Sequence, residues 1–147
     1  MPPISEPHQI RLRGPWQVAW LGDASPENAT PSFDTVYLPE SWVELFGDAD
    51  GRALFRRRFN RPSNLDPHER VCILLTDIHG EVNLRCNSSE ITPHDDAPSL
   101  LRYDVTDVLQ DFNVLDIEIV CRPSTIPQQD SGLWRTVLLE IRTVAPD

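Results

Sequence analysis

The sequence predicts an all-β protein, a jelly-roll β-sandwich of about eight antiparallel strands. Three observations lead to this fold class. Short apolar runs recur along the chain with turn residues between them, several runs alternate apolar and polar side chains, and 14 prolines are spread through the 147 residues. The one segment with a helical period is short and lies around Asp104 to Phe112.

Seven segments are candidate strands. In chain order they are Leu12 to Trp20, Thr35 to Leu38, Ala53 to Phe59, Val71 to Leu75, Val82 to Cys86, Val114 to Cys121 and Leu133 to Thr143. In Val82 to Cys86 every second residue is apolar, so we expect one face of that strand in the core and the other in water. Two packed antiparallel sheets use about this many strands.

Polar connections separate these strands. They are Gly22 to Phe33, Phe46 to Gly51, Asn87 to Ser99 and Arg122 to Gly132. Surface connections of this kind are where a sandwich most often carries its binding function. We expect a single domain over residues 9–144, with a flexible N-terminus at 1–8 and a short C-terminal tail at 145–147.

The charge balance excludes several partners. The chain has 13 arginines and no lysine against 23 acidic residues, for a net charge of -10. Such a balance opposes binding to nucleic acid or anionic lipid and favours neutral sugars or a protein partner. No apolar stretch approaches the roughly 18 residues of a membrane helix, and no signal peptide is evident, so a cytoplasmic location is expected.

Three cysteines are widely spaced, and each lies in an apolar run. Cys72, Cys86 and Cys121 show neither CxxC spacing nor the density of a disulfide framework. The sequence therefore predicts three reduced residues in the core.

A series of short motifs follows the order of a known domain. They are Leu12, Gly14 and Trp16; Val36 to Trp42; Phe55, Arg56 and Phe59 with Pro62; Asp77 to Asn87; His94 followed by Tyr103 to Leu109; Asn113 with Leu115; and Ser131 to Arg135 with Val137 and Leu139. In this order they resemble the N-terminal sugar-binding domain of family 2 glycoside hydrolases, the β-galactosidase and β-glucuronidase group.

This resemblance implies a galactose-binding-like sandwich without catalytic activity. In that family the catalytic glutamates belong to a separate α/β barrel that has no counterpart in these 147 residues. Retaining cleavage of a glycoside needs two carboxyl groups about 5 Å apart, and nothing in the sequence brings Glu81 and Glu90 together. The family's loop glycine is replaced by Ser88, and only Asp130 stands near the position of an aspartate that the family directs toward substrate.

The candidate ligand-binding residues cluster in one connection. Asn87, His94, Asp95 and Asp96 lie in the Asn87 to Ser99 segment, and we expect Trp42 or Asp130 to assist them. Exposed aromatic rings are common platforms for sugars. The chain's other tryptophans, Trp16, Trp20 and Trp134, lie in strand patterns and are predicted to be buried, whereas Trp42 follows a turn and is a candidate for the rim.

No cofactor is predicted. Oxygen ligands around His94 to Asp96, with Asp77 or Asp104, are candidates for a structural Ca²⁺ site, but the sequence lacks an interleaved acidic calcium loop. The four histidines and three cysteines show no paired spacing for zinc.

Arg56, Arg57 and Arg58 form the one compact group of cations. The triplet resembles an anion-binding patch, but 23 acidic residues are available as partners, so ion pairing within the fold is the predicted role. Two functions remain open at this stage. The chain either binds carbohydrate weakly through its loops, or docks on a separate catalytic chain or on itself.

Overall fold

A computed structural model describes residues 8–22, 32–37, 42–47, 50–63, 65–78, 80–97, 99–122 and 137–143, with residues 43 and 95–97 described by their backbone alone. Within these ranges eleven strands form two antiparallel sheets. The strands are β1 (His8–Arg11), β2 (Trp16–Gly22), β3 (Asp34–Val36), β4 (Gly51–Asn60), β5 (Glu69–Thr76), β6 (Glu81–Cys86), β7 (Ser89–Ile91), β8 (Asp95–Ala97), β9 (Leu100–Asp104), β10 (Phe112–Cys121) and β11 (Leu138–Thr143). The predicted β-sandwich is confirmed.

The five-stranded sheet has the order β1-β11-β5-β9-β8, and the six-stranded sheet has the order β3-β2-β4-β10-β6-β7. At the centre of the larger sheet, β4 and β10 pair over their whole length, from Asn60 opposite Phe112 to Gly51 opposite Cys121. Along β10 every second residue is buried, as the alternation in the sequence requires.

One apolar core lies between the two sheets. The six-stranded sheet contributes Ala53, Phe55, Phe59, Leu115, Ile117 and Ile119, and the five-stranded sheet contributes Val71, Ile73, Leu75, Tyr103 and Leu139. Burying a side chain of this size stabilises the fold by about 1.5–3 kcal/mol, so the alternating strands fix which face of each sheet turns inward.

Four short strands go beyond the predicted set. They are β1, β7, β8 and β9, with three to five residues each. Three of them lie at sheet edges, where the backbone pairs with a single neighbour and no apolar alternation is needed. The predicted connection Asn87 to Ser99 is therefore partly strand, because it contains β7 and β8.

The aromatic residues at one end of the core reverse two expectations. A short helix, α1 (Trp42–Phe46), replaces the predicted turn, and Trp42 is fully buried instead of standing at a rim. Because Trp42 and Phe46 are four residues apart, both rings turn to one side of the helix and pack on each other with ring centroids 4.9 Å apart. Trp20 closes this cluster from outside and stays 41 % exposed, although its strand pattern predicts burial. Trp134 lies outside the described residues.

A second helical segment is a single 3₁₀ turn at Thr106–Val108, within the stretch that has the helical period. None of the described helices is long and apolar enough to cross a membrane.

Candidate functional site

The predicted ligand residues lie on different elements of the fold. His94 is exposed, and its backbone N–H donates a 2.6 Å hydrogen bond to the carbonyl of Arg102. Asp95 and Asp96 follow in β8 at the edge of the five-stranded sheet. Asn87 lies in the turn between β6 and β7 of the other sheet. Asp130 lies outside the described residues, and the burial of Trp42 leaves it no ring face for a sugar.

The side chain of Asn87 is used by the fold. Its Nδ2 donates 2.8 Å hydrogen bonds to the carbonyl of Val108 and to Oδ1 of Asn113, and its Oδ1 accepts a 2.9 Å bond from the N–H of Val114. Asn87 and Ser88 both have positive φ angles, 54° and 71°, as a two-residue hairpin turn of type I′ requires. Asn87 therefore joins the β6–β7 turn to the start of β10.

One of the acidic residues considered for calcium, Asp104, is used by the fold. The carboxylate of Asp104 accepts a 2.9 Å bond from Nε of Arg70 and a 2.7 Å bond from the hydroxyl of Thr106. Burial raises the pKa of Asp104, but these hydrogen bonds outweigh that effect and hold the pKa below its ordinary value. Among the described residues, no group of three or more His, Cys, Asp or Glu side chains could hold a metal ion.

The two glutamates tested as a catalytic pair are separated along the sheet. Glu81 begins β6, and Glu90 on β7 pairs with Arg85, four residues further along β6. At about 3.3 Å per residue this displacement is roughly 13 Å, well beyond the 5–5.5 Å of a retaining pair. The backbone positions of Glu81 and Glu90 are therefore much further apart than the carboxyl groups of a retaining pair.

Buried cysteines are poor nucleophiles in this fold. Burial raises the pKa of the Cys72 and Cys86 thiols to about 11. Cys121 is also buried. The thiolate is the reactive form, so Cys72 and Cys86 are unsuited to nucleophilic catalysis at neutral pH.

A concave surface follows the second half of β4. β2 pairs with β4 only as far as Arg56, so among the described strands residues 57–60 pair with β10 alone. Three adjoining depressions of about 400, 380 and 530 Å³ lie along this part of β4. The first two share Arg57 and Arg58, and the last two share Asn60 and Pro62. We name this continuous surface the β4 groove.

One end of the β4 groove carries an exposed aromatic ring. Phe112 is 79 % exposed and lies opposite Asn60 in the β4–β10 register. Pro62 and Leu65 line the same depression, together with the polar side chains of Arg61, Ser63 and Asp111. This end of the groove therefore combines a free ring face with hydrogen-bonding groups.

The middle of the β4 groove carries the arginine triplet. Arg56 forms the predicted ion pair, with its Nε 2.7 Å from Oδ1 of Asp116, and its guanidinium lies 4.8 Å from the centre of the Phe33 ring. For Arg57 and Arg58 the prediction of ion pairing is wrong. Arg57 donates to the carbonyls of Arg13 and Arg58, at 2.8 and 3.0 Å, and Arg58 is exposed. Within the described residues neither one contacts a carboxylate.

These observations define a β-sandwich domain with an open groove along one central strand. No protein-family model and no curated protein sequence matches the chain. Solved structures do match. An FMN-binding β-glucuronidase from Faecalibacterium prausnitzii is 24 % identical with a TM-score of 0.70, over 92 % of this chain and 22 % of the enzyme.

Two further enzymes show the same likeness. A β-glucuronidase from Ruminococcus gnavus is 18 % identical with a TM-score of 0.72, over 97 % of this chain and 30 % of the enzyme. A β-glycosidase from Bacteroides vulgatus is 20 % identical with a TM-score of 0.67, over 91 % of this chain and 20 % of the enzyme. The resemblance to family 2 glycoside hydrolases is thus confirmed at the level of the fold, and the chain spans less than a third of each of these three enzymes.

The sequence indicates that the arginine triplet resembles an anion-binding patch but favours ion pairing for it, and it does not point to the aromatic end of the β4 groove, although two signals are present. One is Phe112 itself, which stands on the polar face of β10 in step with Asp116 and Glu118. The other is the arginine triplet, because the neighbouring strand supplies one acidic partner for three arginines.

Proposed function

We propose that this chain is a non-catalytic module that binds carbohydrate in the β4 groove. The observation that carries the proposal is the exposed ring of Phe112 beside Asn60. An aromatic face stacks on the CH groups of a sugar ring, and neighbouring amide and hydroxyl groups bind its hydroxyls. The likeness to one domain of larger glycosidases supports a module of this kind.

The non-catalytic part of the proposal has its own support. The separation of Glu81 from Glu90 along the sheet is unsuited to glycoside cleavage, and the buried thiols are protonated at neutral pH. Release of a chromogenic aglycone by the purified chain, lost in Glu81→Gln or Glu90→Gln, would overturn this part.

Isothermal titration against galactosides, glucuronides and plant or algal oligosaccharides tests carbohydrate binding. We expect Phe112→Ala to abolish the heat signal and Phe112→Tyr to retain it, because tyrosine keeps the ring. Tyr37→Ala is the matched control, since Tyr37 is 70 % exposed but does not line the three depressions. The absence of heat with every sugar at millimolar concentration would contradict the proposal.

The same titration tests the ligand residues that are expected from the sequence. Of these residues, His94 is the one whose side chain is exposed to solvent in the described part of the chain. If His94→Ala weakens binding while Phe112→Ala does not, the sugar binds beside β8 and not in the β4 groove.

A second candidate function is docking on a separate catalytic chain or self-association. Its supporting observation is the apolar character of exposed Phe112 together with Pro62 and Leu65, and of Ile10, which is 40 % exposed. Analytical ultracentrifugation distinguishes the two. A concentration-dependent dimer that Phe112→Ala dissociates would favour association, and a monomer that binds sugar would favour the module.

A cytoplasmic location belongs to the same proposal. Cys72 and Cys86 are free, buried thiols, the usual state of cysteine in a reducing compartment. Cell fractionation tests this part, and recovery of the protein outside the cytoplasm would contradict it.

A further inference from the structure

The charge of the β4 groove is opposite to that of the whole chain. The chain has a net charge of -10. Asp116 neutralises Arg56, but Arg57 and Arg58 contact no carboxylate within the described residues. The middle of the groove therefore holds two uncompensated positive charges. At the aromatic end of the groove the carboxylate of Asp111 is accompanied by the guanidinium of Arg61. At physiological ionic strength charges are screened over about 8 Å, so an anion in the middle of the groove is governed by Arg57 and Arg58 more than by acids elsewhere on the chain.

Arg57 is held in place before any ligand arrives. Its neighbours Phe55 and Phe59 are buried, and its Nε and Nη1 donate to the carbonyls of Arg13 and Arg58. A guanidinium has five N–H donors, so three remain for a ligand. Because the planar fork is already oriented, little side-chain freedom is lost when it binds an oxyanion. Burial also lowers the pKa of Arg57, an effect that a bound anion would oppose.

Arg58 lies on the same face of the sheet as the aromatic end. Arg58 and Asn60 are two residues apart on β4 and share one face, and Phe112 lies opposite Asn60. The spacing from Arg58 to Asn60 is roughly 7 Å along the strand. A ligand that reaches from Phe112 to Arg58 must therefore be longer than a single small anion.

We propose that the β4 groove selects saccharides that carry an oxyanion, either the carboxylate of a uronic acid or a sulfate ester. Arg57 and Arg58 start from opposite faces of β4 and bind the oxyanion at the strand edge, where both side chains line the same two depressions. This inference rests on the proposed carbohydrate binding and assigns its ligand class. It replaces the neutral sugars that the net charge favours. Nucleic acid does not fit, because two arginines on an acidic protein release too few counterions for phosphate-backbone binding.

The test is a calorimetric titration of the whole chain with three probes. The first is trigalacturonate, the second is its methyl ester, which keeps the backbone without the charge, and the third is a sulfated galactan oligosaccharide. We expect trigalacturonate or the sulfated probe to bind about tenfold more tightly than the ester, because hydrogen bonds to charged groups are stronger than neutral ones. Whichever charged probe binds identifies the oxyanion.

Variants of equal charge separate the site from the overall field. Arg58→Gln and Arg57→Gln are expected to remove most of this preference, because each should weaken binding of the charged probes far more than binding of the ester. Arg85→Gln is the matched control, since Arg85 is an exposed arginine on β6 outside the groove. Equal affinity for the charged and neutral probes would overturn the inference and leave carbohydrate binding intact. The absence of binding to all three probes would overturn the inference, and the absence of heat with the neutral sugars as well would overturn the proposed carbohydrate binding.

Discussion

The side chains of Asn87 and Asn113 are joined by a 2.8 Å hydrogen bond between the β6–β7 turn and the start of β10. Asn113 is almost fully buried and also donates to the carbonyls of Phe59 and Gln110. This pair connects the turn, the strand after the 3₁₀ segment and the end of β4. It fixes the end of β4 at which the groove begins, without taking part in the groove itself.

Replacement of Asn113 by alanine tests this structural role. We expect Asn113→Ala to lower the free energy of unfolding by about 2–3 kcal/mol, since it leaves buried polar groups without partners. Urea unfolding measures the change. Asn60→Ala is the control, because Asn60 is exposed and should lose sugar affinity with little loss of stability. Equal stability of the two variants would contradict this division of roles.

The turn residue Ser88 stands where the related family has glycine, and its φ of 71° is unfavourable for a residue with a Cβ. We expect Ser88→Gly to raise the free energy of unfolding by about 1 kcal/mol. Ser89→Gly, one position further in β7, should lower stability instead, because glycine weakens a strand. Thermal unfolding of the two variants checks the opposite signs.

Two ion pairs of the sheets differ in burial and should differ in energy. Glu140 is 3 % exposed and lies 3.2 Å from Nε of Arg102, whereas Glu118 is 27 % exposed in its pair with Arg52. Breaking a buried pair costs about 3–5 kcal/mol, so Glu140→Ala is expected to be strongly destabilising. Glu118→Ala should cost less than about 1 kcal/mol. Similar unfolding midpoints for the two variants would refute the distinction.

The buried thiols predict a pH dependence. A thiol ionises near pH 9.0 in the unfolded chain, and near 11 at Cys72 and Cys86 in the fold. Between these values the folded state keeps protons that the unfolded chain has lost, so stability should fall as pH rises from 9.0 to 11. Unfolding curves of the wild type and of Cys72→Ala/Cys86→Ala across this range measure the effect. The double variant should lose less stability, and parallel curves would contradict the cause.

The sequence predicts the sandwich because burial imposes alternation on the long strands β4, β6 and β10. It does not predict β7 and β8, because edge strands pair through the backbone and carry no such pattern. Trp20 is exposed and Trp42 is buried, the opposite of what the sequence predicts, because of α1. The i, i+4 spacing in this helix turns the Trp42 and Phe46 rings into the core.

The β4 groove depends on where β2 stops pairing with β4, at Arg56. That register is a property of the assembled sheet, and neither the arginine triplet nor Phe112 reveals it alone. The sequence motifs make Asn87 a candidate ligand residue because a residue that holds a turn and a residue that binds a ligand can leave the same kind of motif.

The central claim is that saccharide binds in the β4 groove, and an amide chemical-shift titration of the ¹⁵N-labelled chain with trigalacturonate tests it most directly. We expect the largest saturable shifts at residues 57–61 and at Phe112, with the amides of residues 87–97 nearly unchanged. Shifts centred on residues 87–97, or no saturable shift at any amide, would contradict the claim.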